Sequence, residues 1–193
     1  MERRPRGYVG INHETIGSDV LAVMHSLQAL VGPDLPIPKH ILTPVQMQRL
    51  HSIKPDGWYP IEWMLELMEA LDKKLGRYAL IKMGRTLFKQ THEARVLETA
   101  HQGRDIIYGF DDMYHHANRG EKIGGWRVVS FDDHGAVLEK TTPHHCSMEE
   151  GILAQALAAV GAPAMVAQTG CFREGADACL FSITPAVGAG RWM

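Results

Sequence analysis

Residues 144–183 read HHCSMEEGILAQALAAVGAPAMVAQTGCFREGADACLFSI and contain all three cysteines of the chain, Cys146, Cys171 and Cys179. Ser147, followed three residues later by Glu150, forms a capping-box pattern. Ile152, Leu153, Ala156, Leu157 and Val160 then recur at helical spacing, so a helix is expected to start directly after Cys146 and to stop at Gly161. After Pro163 the pattern changes to two strands, Ala164–Phe172 and Cys179–Pro185, joined by Arg-Glu-Gly-Ala-Asp. A hairpin centred on Gly175 sets the thiols of Cys171 and Cys179 opposite each other.

Upstream of this stretch the chain is helical. Ile16, Val20, Val23, Met24, Leu27, Leu30 and Val31 predict an amphipathic helix over Glu14–Val31, stopped by Gly32-Pro33 and followed by an extended connector with Pro33, Pro36 and Pro38. Thr43-Pro44 opens a short helix over Pro44–Ile53. Pro60 opens a longer one, with Ile61, Met64, Leu65, Met68, Leu71 and Leu75 on one face and Gly76 at its end. Arg77–Glu98 is helical in character, and within its apolar stripe Gly84 would permit close packing. Asp105 caps a helix over Ile106–His116. Trp126–Ser130 and Ala136–Lys140 flank Asp-Asp-His-Gly and predict a hairpin. The expected class is therefore α+β: amino-terminal helices packed on a four-stranded antiparallel sheet, with one helix between the two hairpins. Residues 1–193 are expected to form one ligand-binding domain. Within it, residues 1–40 are the helix and connector, a candidate dimer contact, and residues 186–193 are a loose tail.

Composition narrows the functional classes. A formal net charge of −2 with no basic stripe gives no electrostatic reason to expect nucleic-acid binding. No run is long enough to span a bilayer, and the basic start Met-Glu-Arg-Arg-Pro-Arg lacks the apolar core of a signal peptide. Three cysteines, an odd number, argue against a disulfide framework and for a reducing compartment, so the expected location is the cytoplasm. No phosphate loop, nucleophile elbow or haem-attaching Cys-x-x-Cys-His is present, and no paired carboxylates or nucleophile with a neighbouring base stand out, which weighs against an enzyme.

A cysteine before a Gly-containing helix, then a strand leading into Cys-x-x-x-Gly-x-x-x-Cys-x-Phe, resembles the 4-vinyl reductase domain and the related sensory domains of phenol-responsive bacterial transcription activators. The residues that carry the likeness are Cys146, Gly151, Cys171, Gly175, Cys179 and Phe181. The resemblance implies a structural zinc ion on the three cysteines. The glutamate that completes the set in those domains, three residues before the second cysteine, is Gln168 here. His144 or His145 is the better fourth donor chemically, because zinc favours sulfur and nitrogen ligands. The alternative is three reduced cysteines buried as small apolar side chains.

The wider superfamily includes haem nitric-oxide/oxygen-binding domains and vesicle-tethering subunits of the TRAPP type. In the haem domains, the helix before the sheet carries an iron-ligating histidine in a Leu-Asp-x-Leu-His run. The matching stretch here, Phe110-Asp111-Asp112-Met113-Tyr114-His115-His116, places Tyr114 at that position and His115 one residue late. One residue is a rotation of about 100° around a helix. The Tyr-x-Ser-x-Arg run that grips haem propionates is missing between Leu138 and Ile152. The resemblance therefore implies a sensor for a small apolar or aromatic molecule, with Trp63, Met64, Phe88, Tyr114 and His115 as candidate pocket residues. It would signal to a separate protein or to a second copy of itself as a homodimer. A haem-based gas sensor, an enzyme or carrier acting on a tetrapyrrole, and a non-catalytic scaffold are the alternatives.

Overall fold

The computed structural model describes residues 12–32, 34, 35, 37, 38 and 41–193, so the basic start and Pro33 and Pro36 of the connector lie outside the described residues. In chain order the elements are β1 (Glu14–Ile16), α1 (Gly17–Val31), α2 (Pro44–His51), β2 (Trp58–Pro60), α3 (Ile61–Leu75) and α4 (Arg77–Leu87). A π turn over Phe88–His92 carries α4 into α5 (Glu93–Val96), and α6 (Gly103–Ala117) and β3 (Asn118–Arg119) follow. The carboxyl-terminal part is β4 (Trp126–Asp132), β5 (Gly135–Lys140), α7 (Cys146–Ala159), β6 (Ala164–Gly170) and β7 (Cys179–Pro185). The main sheet has the order β4-β5-β7-β6, antiparallel throughout, with α7 linking its two hairpins as expected from the sequence.

Local chemistry accounts for the element ends. Thr43 Oγ1 accepts from Gln46 N at 3.3 Å while Thr43 N donates to Gln46 Oε1 at 2.9 Å, a reciprocal cap on α2 with Pro44 in its first turn. Asp105 Oδ2 accepts from the backbone of His101 and Gln102 ahead of α6. The α7 cap differs from the expectation. His145, not Ser147, is the N-cap, its Nδ1 accepting from Ser147 N at 3.3 Å, and Glu150 instead pairs with Arg77 at the start of α4. The first three residues of the expected Glu14–Val31 helix form β1, which pairs on either side with β2 and β3 in a small second sheet. Three-residue pairings carry too little periodicity to stand out from a helical pattern.

The core lies between α7 and the sheet and continues between α7 and α4. Leu138, Cys179 and Phe181 face it from the sheet, Met148, Leu153, Ala156 and Leu157 from α7, and Leu80, Met83 and Phe88 from the α4 side. Trp126 sits between Phe110 and Phe181, with ring centroids 4.8 and 5.1 Å away. The α4–α7 crossing depends on two glycines. A Cβ on Gly84 would lie 2.1 Å from Met148 O, and one on Gly151 would lie 2.0 Å from Ile81 O, so each helix passes its backbone over the bare position of the other.

One expectation about the chain ends changes. The inward face of α1 is packed inside the domain, with Val20, Val23 and Leu27 fully buried. Residues 186–193 are tied down at their end. Trp192 is buried, stacks on Phe131 at 5.3 Å and donates from Nε1 to Asp132 O at 2.7 Å, while Gly103 N donates to Arg191 O at 2.6 Å. A tryptophan has enough apolar surface to hold a short tail that lacks any periodic pattern.

Candidate functional site

The turn from β5 into α7 brings together the three cysteines and a lysine. Cys146 Sγ is 3.3 Å from Cys179 Sγ, Cys179 Sγ is 3.7 Å from Cys171 Sγ, and all three residues are buried. Lys140, fully buried at the end of β5, donates from Nζ to His144 O at 2.6 Å and to Cys146 Sγ at 3.4 Å. The hydrogen bond with Cys179 and then the Lys140 ammonium lower the Cys146 thiol against the opposing effect of burial, which favours its thiolate form. Cys179, which supplies that hydrogen bond, is pushed up.

These distances suit one tetrahedral metal ion, since Zn–S bonds of about 2.3 Å put two sulfurs about 3.8 Å apart. The expected fourth donor does not converge with them. Nδ1 of His145 is occupied by the α7 cap and its Nε2 lies 3.4 Å from Asp72 Oδ2. His144 turns its Nε2 to Asn118 Oδ1 at 3.0 Å. Gln168 pairs with Phe181 in the sheet beside a bulge between Gln168 and Gly170.

A second centre lies in the core between α1, α3, the π turn, α6 and α7. A cavity of about 30 Å³ is lined by Asp19, Met64, Met68, Leu87, His92, Met113, Tyr114, Ala117, Asn118, His144, Glu149 and Ile152. His92 Nε2 is 3.2 Å from Asp19 Oδ2, both side chains are buried, and His92 Nδ1 has no hydrogen-bond partner. Tyr114 donates its hydroxyl to Ile123 O at 3.2 Å, and its phenol is pushed up, chiefly by burial. Asn118 holds both neighbours, accepting from His144 and donating to Tyr114 O at 3.0 Å. Burial drives the His144 imidazole down to about 3, and burial raises the Glu149 carboxyl to about 7 against Lys140 and a 3.3 Å hydrogen bond from Thr142.

Of the pocket residues expected from the sequence, Met64 and Tyr114 meet at this cavity. Trp63 is one position further around α3. It stacks on Tyr59 at 5.6 Å under the Arg49 guanidinium and lines a separate recess with Leu50 and Glu66. Phe88 is fully buried but does not line the cavity, which the π turn leaves to Leu87 and His92. His115 faces outward, 41% exposed, with Nε2 3.5 Å from Asp111 Oδ1. The cavity is also more polar and much smaller than the apolar pocket expected from the sequence. Motif spacing does not single out Asp19, His92 or Glu149.

Glu149 gives the stability a specific pH dependence. Its folded value lies above its unfolded one of 4.5, so between pH 4.5 and about 7 the folded state binds the extra proton and stability falls as pH rises. Relative to Glu149→Gln, the parent is expected to lose about 3 kcal/mol across that window in urea unfolding. The depressed His144 acts with the opposite sign below pH 6.5, but it is common to both proteins and cancels in the difference. A difference that stays flat with pH would show that Glu149 is not desolvated as described.

No protein-family model matches the sequence, and no curated protein matches it. Solved structures match its fold. The H-NOX (haem nitric-oxide/oxygen-binding) protein from Shewanella oneidensis in the Fe(II)NO state superposes with a TM-score of 0.68 at 14% identity, covering 89% of this chain and 99% of that one. The Fe(II) unliganded H-NOX protein from K. algicida gives 0.65 at 10%, covering 89% and 96%. The Fe(II)CO form of the Shewanella oneidensis domain gives 0.61 at 14%, covering 86% and 97%. At these identities the likeness establishes the fold. These neighbours are haem nitric-oxide/oxygen-binding domains, one of the related groups named from the sequence, and the narrower likeness to 4-vinyl reductase domains is not confirmed.

Proposed function

We infer that this chain is a ligand-sensing domain on the H-NOX fold, with its effector site at the cavity between Asp19, His92, Tyr114, His144 and Glu149. One observation carries the reading. Five ionisable side chains from separate elements surround one cavity in the core, and one of them leaves a ring nitrogen unpaired. Burying such groups costs stability, so a core selected for packing alone would not collect them. The π turn that presents His92 is a local irregularity of a kind frequent at functional sites. Met64, Met68 and Met113 give the wall side chains that can re-pack around an occupant. The signal passes to a separate protein.

The fold likeness favours haem-based gas sensing as a second reading, because the solved neighbours hold iron in named ligation states. The residues around the cavity do not fit that group. A volume of about 30 Å³ has room for about two waters, the inward group of α6 is a phenol held to a backbone carbonyl, and the buried cation Lys140 is committed to His144 O and the thiols. The three thiols do fit one zinc ion. Cys146, Cys171 and Cys179 would hold it, and Lys140 would offset the surplus negative charge of three thiolates. Bound there, zinc ties β7 and the β6–β7 connection to the start of α7.

The sensor reading is tested by replacing the buried pair with apolar side chains, His92→Leu together with Asp19→Leu. A site kept for a ligand predicts a variant as stable as the parent or more so, by up to about 4 kcal/mol. It also predicts loss of any thermal shift that the parent shows in a screen of small aromatic, lipid and tetrapyrrole compounds. A variant that loses several kcal/mol would make the pair a structural element, and an undiminished thermal shift would move the ligand site elsewhere.

A further inference from the structure

A basic stripe that the overall charge of −2 conceals runs along α4 and into the π turn. Between Asp72 and Glu93 lie six cations, Lys73, Lys74, Arg77, Lys82, Arg85 and Lys89, and no carboxylate. All six are exposed. Lys73 pairs with Glu69 and Arg77 with Glu150, but no carboxylate of the described residues lies within ion-pair distance of Lys82, Arg85 or Lys89. These three follow Tyr78 at i+4, i+7 and i+11, so the four side chains share one face of the helix. The opposite face, with Leu80, Met83, Gly84 and Leu87, is buried where α4 packs on α7 and α1. Tyr78 itself is 85% exposed.

Like charges at these spacings repel and weaken a helix, so a face kept only for solubility would mix its signs. Arginine and tyrosine side by side on an exposed face are the residue types that carry binding energy at protein contacts. The charge calls for an anionic partner, and the shape of the stripe narrows the choice. It runs straight for about 17 Å from Tyr78 to Lys89 at the helical rise, which matches three turns of a second helix. With six of the chain's 20 Lys and Arg in this segment and none of its 22 Asp and Glu, the rest of the molecule is acidic and would repel an extended polyanion or a broad anionic membrane. Leu75 and Tyr78 are the large apolar side chains exposed here, too little surface to enter a bilayer. A helix with carboxylates along one side meets the stripe alone. At its far end α4 leads into Leu87 and His92, which line the central cavity, so a protein docked here touches the element that presents the cavity wall.

We propose that this face of α4 is the docking surface for a separate protein that presents an acidic amphipathic helix. That this protein receives the sensor's signal rests on the function proposed above, whereas the docking itself does not. Fluorescence anisotropy of the full chain tests it at physiological ionic strength with a labelled, Ala-rich helical peptide of about 20 residues whose glutamates lie on one face at the spacing of the stripe. That peptide should bind, and one of the same composition with its glutamates spread around the helix should bind about tenfold more weakly or worse. Lys82→Glu/Lys89→Glu should lose the one-face peptide by a similar factor and instead take its counterpart with lysines in place of glutamates, a swap that a misfolded variant would not show. The fold should hold, because the introduced carboxylates flank Arg85 at i−3 and i+4. The His92→Leu/Asp19→Leu variant should bind the peptide as the parent does, so a failed sensor reading and a failed docking surface are told apart. Equal binding of the two glutamate peptides, binding that ignores the charge reversal, or no binding at millimolar peptide would overturn the assignment. Tighter binding of duplex DNA or of phosphatidylserine vesicles than of the one-face peptide would give the stripe to a nucleic acid or a membrane and overturn it equally.

Discussion

Gly84→Ala and Gly151→Ala are each expected to destabilise the fold by about 3 kcal/mol or more, at or beyond the upper end for overpacking. The added methyl would sit 2.1 Å from Met148 O in the first case and 2.0 Å from Ile81 O in the second, and backbone cannot rotate aside as a side-chain tip can. Relief requires α4 and α7 to separate, which opens the contact among Leu80, Met83, Met148 and Leu153. The same exchange at Gly109 in α6, where nothing lies within 4 Å, should gain up to about 1 kcal/mol through helix propensity. Urea unfolding of the three variants checks the account. A Gly84 or Gly151 variant within half a kcal/mol or so of the parent would mean that the crossing is looser than described.

Loss of the thiol centre should be larger still. In Cys179→Ala the sulfur that stands between Cys146 and Cys171 is gone, so a bound metal would lose its middle ligand and Lys140 would be left beside a single thiolate deep in the core. Structural zinc contributes about 10 kcal/mol or more to folding in small domains. Chelation of the parent should therefore lower its melting temperature by many degrees, and the variant should already melt low and ignore the chelator. A Lys140→Met variant should separate the two parts, keeping a metal while reacting more slowly with thiol reagents once stripped of it, because the ammonium no longer favours the Cys146 thiolate. If the parent ignores chelators and Cys179→Ala costs no more than an ordinary buried truncation, the cysteines are simple core side chains.

How much of this was legible in the chain depended on periodicity. The helices and the four main strands were, because Ile61, Met64, Met68 and Leu71 or Ala136 and Leu138 repeat at the period of their element and fall on the buried face. The thiol pair across the Gly175 turn was legible from spacing alone. The central cluster was written in the same patterns but as exceptions to them. Asp19 falls in the stripe of Ile16, Val20 and Val23, Glu149 on the face of Ile152 and Leu153, and Lys140 on the inward alternation of Ala136 and Leu138. A charge at a core position of a clean period is a signal that the apolar residues of the stripe do not carry. His92 could not be placed this way, since the π turn adds a residue and shifts the face that follows it. The rotation that separates Trp63 from Met64, and His115 from Tyr114, is a matter of one helical position, and composition near a helix start does not decide it.

We propose that this chain, on a fold like that of the H-NOX proteins, holds buried ionisable groups and a zinc ion on its three thiols, and no haem. Native mass spectrometry of protein freshly purified from cells supplied with both zinc and haem, paired with an absorption spectrum of the same sample, tests it most directly. The account predicts the chain mass plus one zinc ion and no Soret band. A stoichiometric haem adduct with a Soret band that disappears in His92→Ala or Tyr114→Phe would contradict it and make gas sensing at iron the function.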